Sequence, residues 1–289
     1  MVALSNKTVR IVGLARNVQS NLAAEVVRLR RIFNSIYEEV EFFVVESDSS
    51  DETLSVLKKL SSEVPDFYYF TYGRLELELP NRIDRLIHCR NRYVQWLREQ
   101  SVPASVVVVD FDIRNTKLSS NHVRQALSDL DFADGIFANQ SGRYFDIYAL
   151  RCAGWSNSDC FVEYRELMKS MQPKKAKQKV IWSKMRKIGP KNYPIQVDSA
   201  FGGLAIYKNL VFQNYDYTSN EGITQESEHV YLHRKLKADG LRLYIHPRLT
   251  NFGWNSHNLS SFRFFRLVDH LTDTPKFKRI RRLLRDAVM

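Results

Sequence analysis

The run Val106-Val107-Val108-Val109 leads straight into Asp110-Phe111-Asp112, and this junction constrains the chain more than any other feature. With Ser105 before them, the four valines show no polar alternation, so Ser105–Val109 is predicted to be a strand buried on both faces of a largely parallel sheet. Carboxylates cannot follow into that core; they emerge where the strand ends. Asp110 and Asp112, one residue apart at a strand end, can both reach a hard divalent cation, Mn2+ or Mg2+, that also holds a diphosphate. In open α/β sheets ligands gather at the carboxyl ends of strands, which favours this reading over a pair of aspartates that merely solvates a loop.

The sequence before this junction supplies the layers that such a strand needs. Val9–Leu14, Phe42–Glu46 and Phe67–Phe70 are predicted strands, and they alternate with segments of helical period. Leu22, Val26, Leu29 and Phe33 share one helical face behind a cap at Asn21; Leu54, Leu57 and Leu60 form a shorter helix; Asn81 to Arg98 forms a long one with Ile83, Leu86, Ile87, Tyr93 and Leu97. The expected class is therefore α/β, a mixed and mainly parallel sheet flanked by helices. Past Asp112 the alternation weakens. Asp134–Ala138, Tyr144–Leu150, Gly203–Tyr207 and Leu241–His246 are predicted strands and Glu226 to Lys237 a helix. The lysine-rich stretch from Gln172 to Pro194, bounded by prolines, reads as a mobile surface loop, and Phe262 onward as mostly helical. The 289 residues, 44% of them hydrophobic, suffice for one domain over residues 1–255, with a donor half of about 1–115 and an acceptor half of about 116–255, followed by a basic helical tail over 256–289.

The formal net charge of +11 implies an anionic partner: nucleic acid, a nucleotide sugar or an anionic membrane. Much of it is concentrated in Lys174 to Lys191 and Lys276 to Arg285. In the tail, Phe277, Ile280, Leu284 and Val288 fall near one helical face ringed by Arg281, Arg282 and Arg285, which suits either docking on an anionic membrane or packing on the domain. No stretch approaches the roughly 20 apolar residues that span a bilayer, and no early apolar run carries a charged flank and cleavage site. Three cysteines are too few for a disulfide framework. The expected location is cytoplasmic or peripheral on the inner face of the membrane.

A second polar turn, Glu46-Ser47-Asp48-Ser49-Ser50-Asp51-Glu52-Thr53, again follows a strand and opens a helix. Asp48 at the strand end can accept hydrogen bonds from ribose hydroxyls or a base edge, while Ser50 or Asp51 suits the helix N-terminus. In order along the chain, Gly13-Leu14-Ala15-Arg16-Asn17, this turn, Cys89-Arg90-Asn91 and Asp110-Phe111-Asp112 resemble the nucleotide-binding half of GT-A glycosyltransferases. The Asp-Ser-Ser-Asp-x-Thr turn is similar to one in the family-2 enzymes, and Tyr144 to Arg151 is similar to a segment of capsule-related mannosyltransferase-like proteins.

The resemblance, over roughly residues 8–255, implies a Rossmann-like GT-A fold and transfer of a sugar from a UDP- or GDP-sugar to a glycan or lipid-linked acceptor. Matched residue by residue, Ala15, Arg16 and Asn17 lie over the nucleotide, Asp48 contacts the nucleoside, and Arg90 approaches the diphosphate beside Asp110. His246 completes the metal site of Asp110 and Asp112, with His233 as the alternative, and Asp198 to Gly203 form the acceptor side. Where the family-2 pattern has a Glu-Asp pair this chain has Glu228-His229, so the base is Glu228, with His229 and Glu226 as the other candidates. Two rivals remain. A sugar nucleotidyltransferase would need a Gly-rich phosphate loop after the first strand, where this chain has one glycine. A basic nucleic-acid-binding protein would place its basic residues in a recognisable module, which they do not form.

Overall fold

Runs of β-branched and aromatic residues extend into β1 (Thr8–Ala15), β2 (Glu39–Glu46), β3 (Phe67–Thr71) and β4 (Ala104–Asp110). Parallel neighbours need crossovers, and α1 (Leu22–Asn34), α2 (Thr53–Glu63) and α3 (Arg82–Arg98) provide them. These elements belong to a computed structural model that describes residues 7–218 and 226–252. The expected tail and the 1–255 boundary lie wholly or partly outside those residues.

After β4 come α4 (Ser120–Asp129), β5 (Gly135–Gln140), α5 (Cys160–Met168), α6 (Pro173–Val180), β6 (Ile195–Val197), β7 (Leu204–Tyr207), α7 (Asn209–Asn214), α8 (Glu228–Ala238) and β8 (Leu243–Phe252). Among the described residues eight strands form one sheet in the order β3-β2-β1-β4-β7-β5-β8-β6. β3, β2, β1 and β4 are mutually parallel, β7 runs antiparallel between β4 and β5, β8 is parallel to β5, and β6 is an antiparallel edge. The class is thus α/β with a mixed, mainly parallel sheet.

The valines of β4 explain why the sheet holds. Successive side chains point to opposite faces, so Val106 and Val108 pack with Tyr93, Val94 and Leu97 of α3, while Val107 and Val109 pack with Leu22, Val26 and Leu29 of α1. All four are completely buried, each contributing about 1.5–3 kcal/mol by leaving water.

Four expectations change. Tyr144–Leu150 is a buried loop, not a strand: its apolar residues enter the core, but its backbone N–H groups donate to the Arg186 carbonyl, to the Gln140 side chain and within its own turn. The stretch from Gln172 to Pro194 is not a loose loop. It contains α6, with Pro173 in the first turn where no N–H is needed, and it buries Ala176, Val180, Ile181, Met185 and Ile188. Asn21 stands at the start of α1 but does not cap it; its Nδ2 donates to the carbonyl of Phe111, 2.9 Å away, tying helix to strand end. β8 extends beyond His246 to Phe252 through a break in register with β5.

Gly13 shows how tightly β1 and β4 meet. A Cβ there would strike the carbonyl oxygen of Val109 and come within 2.9 Å of the Phe111 ring. Neither the strand backbone nor a completely buried ring can yield easily, so Gly13→Ala is expected to lower stability by about 2 kcal/mol or more in urea unfolding. Unchanged stability would mean that the two strands can separate at this point.

Candidate active site

Strand register brings the sequence motifs together. Leu14 pairs with Asp110 and Ala15 with Glu46, so the residues just beyond β1, β2 and β4 emerge side by side at one end of the sheet. The chain order reverses there, with β2 and β3 to one side of β1 and β4 to the other, which is where an open α/β sheet leaves a crevice for a ligand.

On the β1–β2 side, Asn17 and Asp48 adopt φ of 53° and 59°, left-handed conformations that short polar side chains tolerate. Asn17 Oδ1 accepts from the N–H of Ser50 at 2.7 Å, and Arg16 Nε donates to the carbonyl of Asp48 at 3.2 Å. The Arg16 side chain stays exposed over this loop, near Glu76. Asp48 is less free than the sequence implies. Its Oδ1 accepts from the N–H of Glu76 at 2.7 Å, its Oδ2 lies 3.5 Å from Arg85 Nε, and its side chain is buried. Asp51 serves the helix start: its Oδ1 accepts from the N–H and hydroxyl of Thr53 and its Oδ2 from the N–H of Gln19. Partial burial works to raise the Asp51 pKa, but these hydrogen bonds outweigh it and hold the carboxyl below its ordinary value.

On the β4 side, Asp110 meets a buried cation. Arg90 projects from α3 to place its guanidinium 3.3 Å from Asp110 Oδ1 and 2.9 Å from Glu228 Oε1, at the first turn of α8. It also donates to Tyr93 Oη at 3.3 Å, and its carbon lies 5.6 Å and 5.5 Å from the ring centroids of Phe201 and Tyr217. Burial works against its charge, yet Tyr93, Glu228, Asp110 and Tyr217 outweigh it, and the arginine stays protonated. Asp110 feels the reverse. Withdrawal from water, opposed by Arg90 and reinforced by Asp112, Glu228 and Asp146, pushes its carboxyl up to about 7. Its side chain still keeps 32% of its surface open, and Asp112 beside it is exposed.

The acceptor-side segment is stitched to this centre. Gly203 accepts from the N–H of Asp110 at 3.1 Å, Gly202 donates to Asp146 Oδ2 at 2.9 Å, and the Gly202 carbonyl receives Nδ2 of Asn251 at 2.8 Å. Both glycines have positive φ, 71° and 84°. Asp146 is a site residue the sequence reading did not single out; it lies in the segment read as a strand, and its acidity among apolar neighbours was the available signal. Tyr217 was equally unmarked, and Tyr93 was read only as part of a helix face.

The histidines separate. His246 does not join the aspartates: it is buried on β8 with Nε2 3.1 Å from Asp129 at the end of α4. His233 bridges Ser199 Oγ at 2.8 Å and Tyr207 Oη at 2.7 Å. Among the described residues, no three His, Cys, Asp or Glu side chains form a ready metal cluster. Glu226 turns to Arg151 and Arg234, at 3.1 and 2.6 Å, away from the Arg90 cluster. His229 does lie in that cluster, stacked on Phe201 with centroids 3.9 Å apart, and its Nε2 is 3.5 Å from Glu228 Oε1, too long for a good hydrogen bond. Among the described residues neither ring nitrogen has a hydrogen-bond partner, and burial, aided by Arg90 and His233, pushes its pKa far down.

No family model matches the sequence, and no curated protein matches it. Solved structures do align. The mannosyltransferase PcManGT from Pyrobaculum calidifontis, in complex with GDP-Man and Mn2+, is 15% identical at a TM-score of 0.48, over 84% of this chain and 56% of its own. Residues 1–349 of TarS from S. aureus, in complex with UDP, are 12% identical at a TM-score of 0.47, over 86% of this chain and 61% of that one. Glucosyl-3-phosphoglycerate synthase from Mycobacterium tuberculosis, with Mn2+, UDP and phosphoglyceric acid, is 10% identical at 0.40, over 86% and 67%. The chain therefore spans little more than half the length of the first of these.

Two neutral buried histidines set an acid limit. Burial, aided by Arg90, takes the His233 pKa down to about 3, and His229 is depressed too. Their stability contribution is present above the ordinary value of about 6.5 and is lost as pH falls toward the folded values, by up to about 1.4 kcal/mol per pH unit for each. Urea unfolding at a series of pH values should show this slope. His229→Phe keeps a ring on Phe201 and removes two unpartnered nitrogens, so it should hold or raise stability at neutral pH and remove one histidine's share of the slope. A loss of more than about 2 kcal/mol at neutral pH would show that the imidazole nitrogens do bond in solution.

Proposed function

We propose that this chain is a metal-dependent glycosyltransferase that moves a sugar from a UDP- or GDP-sugar onto a hydroxyl of a glycan or lipid-linked acceptor, in surface polysaccharide synthesis. The observation that carries the reading is the convergence, at one end of the sheet, of the ends of β1, β2 and β4, with Asp110 partly and Asp112 largely exposed there and the buried Arg90–Glu228 pair beside Asp110.

A divalent cation fits the donor set. Mg2+-type sites use one or two carboxylates and complete their shell with phosphate oxygens and water, so Asp110 and Asp112 suffice without His246. Burial, reinforced by the neighbouring acids, raises the Asp110 pKa, and a bound cation would favour its charged form. When bound, the cation supplies charge neutralisation for the departing diphosphate.

The chain's own groups do the rest. Arg16 and Asn17 cover the nucleotide, and Asp48 holds the loop that meets the nucleoside, with Arg85 and the Glu76 N–H fixing its carboxylate. Arg90 contributes fixed positive charge beside the diphosphate without reorganising, since its partners already hold it. Gly202 and Gly203 keep the acceptor side close to Asp110. Glu228 is the base that takes the acceptor hydroxyl proton; its Oε1 contacts Arg90, and its Oε2 lies 3.4 Å from the Ser227 hydroxyl. The nucleotidyltransferase alternative lacks its phosphate loop: Gly13 lies inside β1 against Val109, not in a loop that could cradle phosphate.

Thermal shift with UDP- and GDP-sugars and Mn2+ tests donor binding, because a ligand that binds only the folded state raises its melting temperature. Asp110→Ala and Asp112→Ala should each remove the Mn2+-dependent shift while the protein stays folded, and EDTA should do the same. Full transfer activity in EDTA would remove the metal from the reading. Glu228→Gln should keep donor affinity and lose turnover by about 10²-fold or more. Unchanged turnover there, with a large loss in His229→Ala, would move the base to the imidazole.

A further inference from the structure

The segment between α5 and β6 carries charge that the cleft does not use. From Gln172 to Pro194 the chain has seven lysines, one arginine and no acid, against a net +11 for the whole protein. Folding turns this composition into a face. Ala176 and Val180 anchor α6 inward while Lys174, Lys175, Lys177 and Lys179 stand exposed, and beyond it Ile181, Met185 and Ile188 are buried while Arg186, Lys187 and Lys191 are exposed. Tyr193, at the end of the stretch, is 89% exposed.

An ordinary solvated face mixes charges of both signs. Here the acids of the neighbouring α5 are spoken for: Glu163 pairs with Lys184 and Glu166 with Lys169, each at 2.8 Å. Among the described residues, none of the four exposed α6 lysines is in an ion pair. Lys174 and Lys177, and Lys175 and Lys179, sit at helical spacings where like charges repel, so the helix retains a small destabilisation that an anionic partner would remove.

We propose that this face docks on an anionic lipid bilayer. Lysine predominates over arginine, as suits attraction to the diffuse field of anionic headgroups more than the bidentate phosphate contacts that nucleic-acid surfaces draw from arginine. The exposed Tyr193 adds the amphipathic ring that settles at the headgroup level. The same segment is joined to the acceptor side, since the backbones of Arg143 and Lys187 form an antiparallel β-bridge and the N–H of Tyr144, two residues before Asp146, donates to the carbonyl of Arg186. Docking through α6 therefore holds the acceptor side of the crevice near the membrane, and the inference stands whichever reaction the crevice performs.

Co-sedimentation of the full chain with vesicles tests it. Phosphatidylcholine vesicles containing phosphatidylserine should bind the protein and pure phosphatidylcholine vesicles should not. Binding should weaken between about 0.1 M and about 1 M salt as the screening length falls from about 10 Å to about 3 Å. Reversing all four α6 lysines (K174E, K175E, K177E and K179E together) should weaken vesicle binding at least about tenfold with the melting temperature unchanged. The corresponding glutamine variant serves if the reversed one does not fold. Vesicle binding within about twofold of the parent in a folded variant would overturn the proposal. So would failure of the parent to bind anionic vesicles, or salt-dependent retention on duplex DNA without vesicle binding.

Discussion

One buried cation organises the crevice. Arg90 on α3 reaches Asp110 on β4 and Glu228 on α8, residues 138 positions apart in the case of the glutamate, and so ties the first half of the sheet to the last helix. Taking a guanidinium out of water costs several kcal/mol, repaid only when acids, hydroxyls and aromatic faces surround it closely. Glu228, Asp110, Tyr93, Tyr217 and Phe201 do so here. Each of those partners is thereby fixed in place by the requirement that Arg90 not be left alone.

The balance of charge around it is unequal. Asp110 is withdrawn from water beside Arg90, and burial first, with Asp112, Glu228 and Asp146 adding to it, raises the pKa of Asp110 against the pull of the arginine. A carboxylate held out of water at a strand end and shifted in this way is a common feature of functional sites. The unpartnered imidazole of His229 belongs to the same pattern, a polar group kept dry beside the acids at some expense in stability.

Preorganisation extends to the backbone. Asn17, Asp48, Gly202 and Gly203 hold positive φ around the crevice, and each is secured by hydrogen bonds from neighbouring segments. The mixed half of the sheet makes this possible: β7, inserted antiparallel beside β4, returns Gly203 to the N–H of Asp110.

The parallel half of the fold was legible in the sequence because its signals are local. Four adjacent β-branched valines favour a short strand buried on both faces, and the period of Leu22, Val26, Leu29 and Phe33 favours a helix that packs one face on a core. That Asp110 and Asp48 would emerge at strand ends followed from the same argument, whereas the place of the Arg16 loop beside them was implied by the family resemblance. What the local pattern could not decide was anything that depends on which distant segments meet. Tyr144–Leu150 has the composition of a strand, yet it is apolar because it fills the core as a loop. The lysines around α6 suggested a loose loop, yet a few buried residues between them anchor a helix. His246 stands at a strand end much as a metal ligand would, but the register of β8 sends it to Asp129. The sequence placed Arg90 near the diphosphate beside Asp110, but only the packing of α8 against α3 supplies Glu228 and makes burial of its charge possible. Side-chain period is encoded residue by residue, whereas the pairing of buried charges is settled only when the sheet closes and brings their partners into reach.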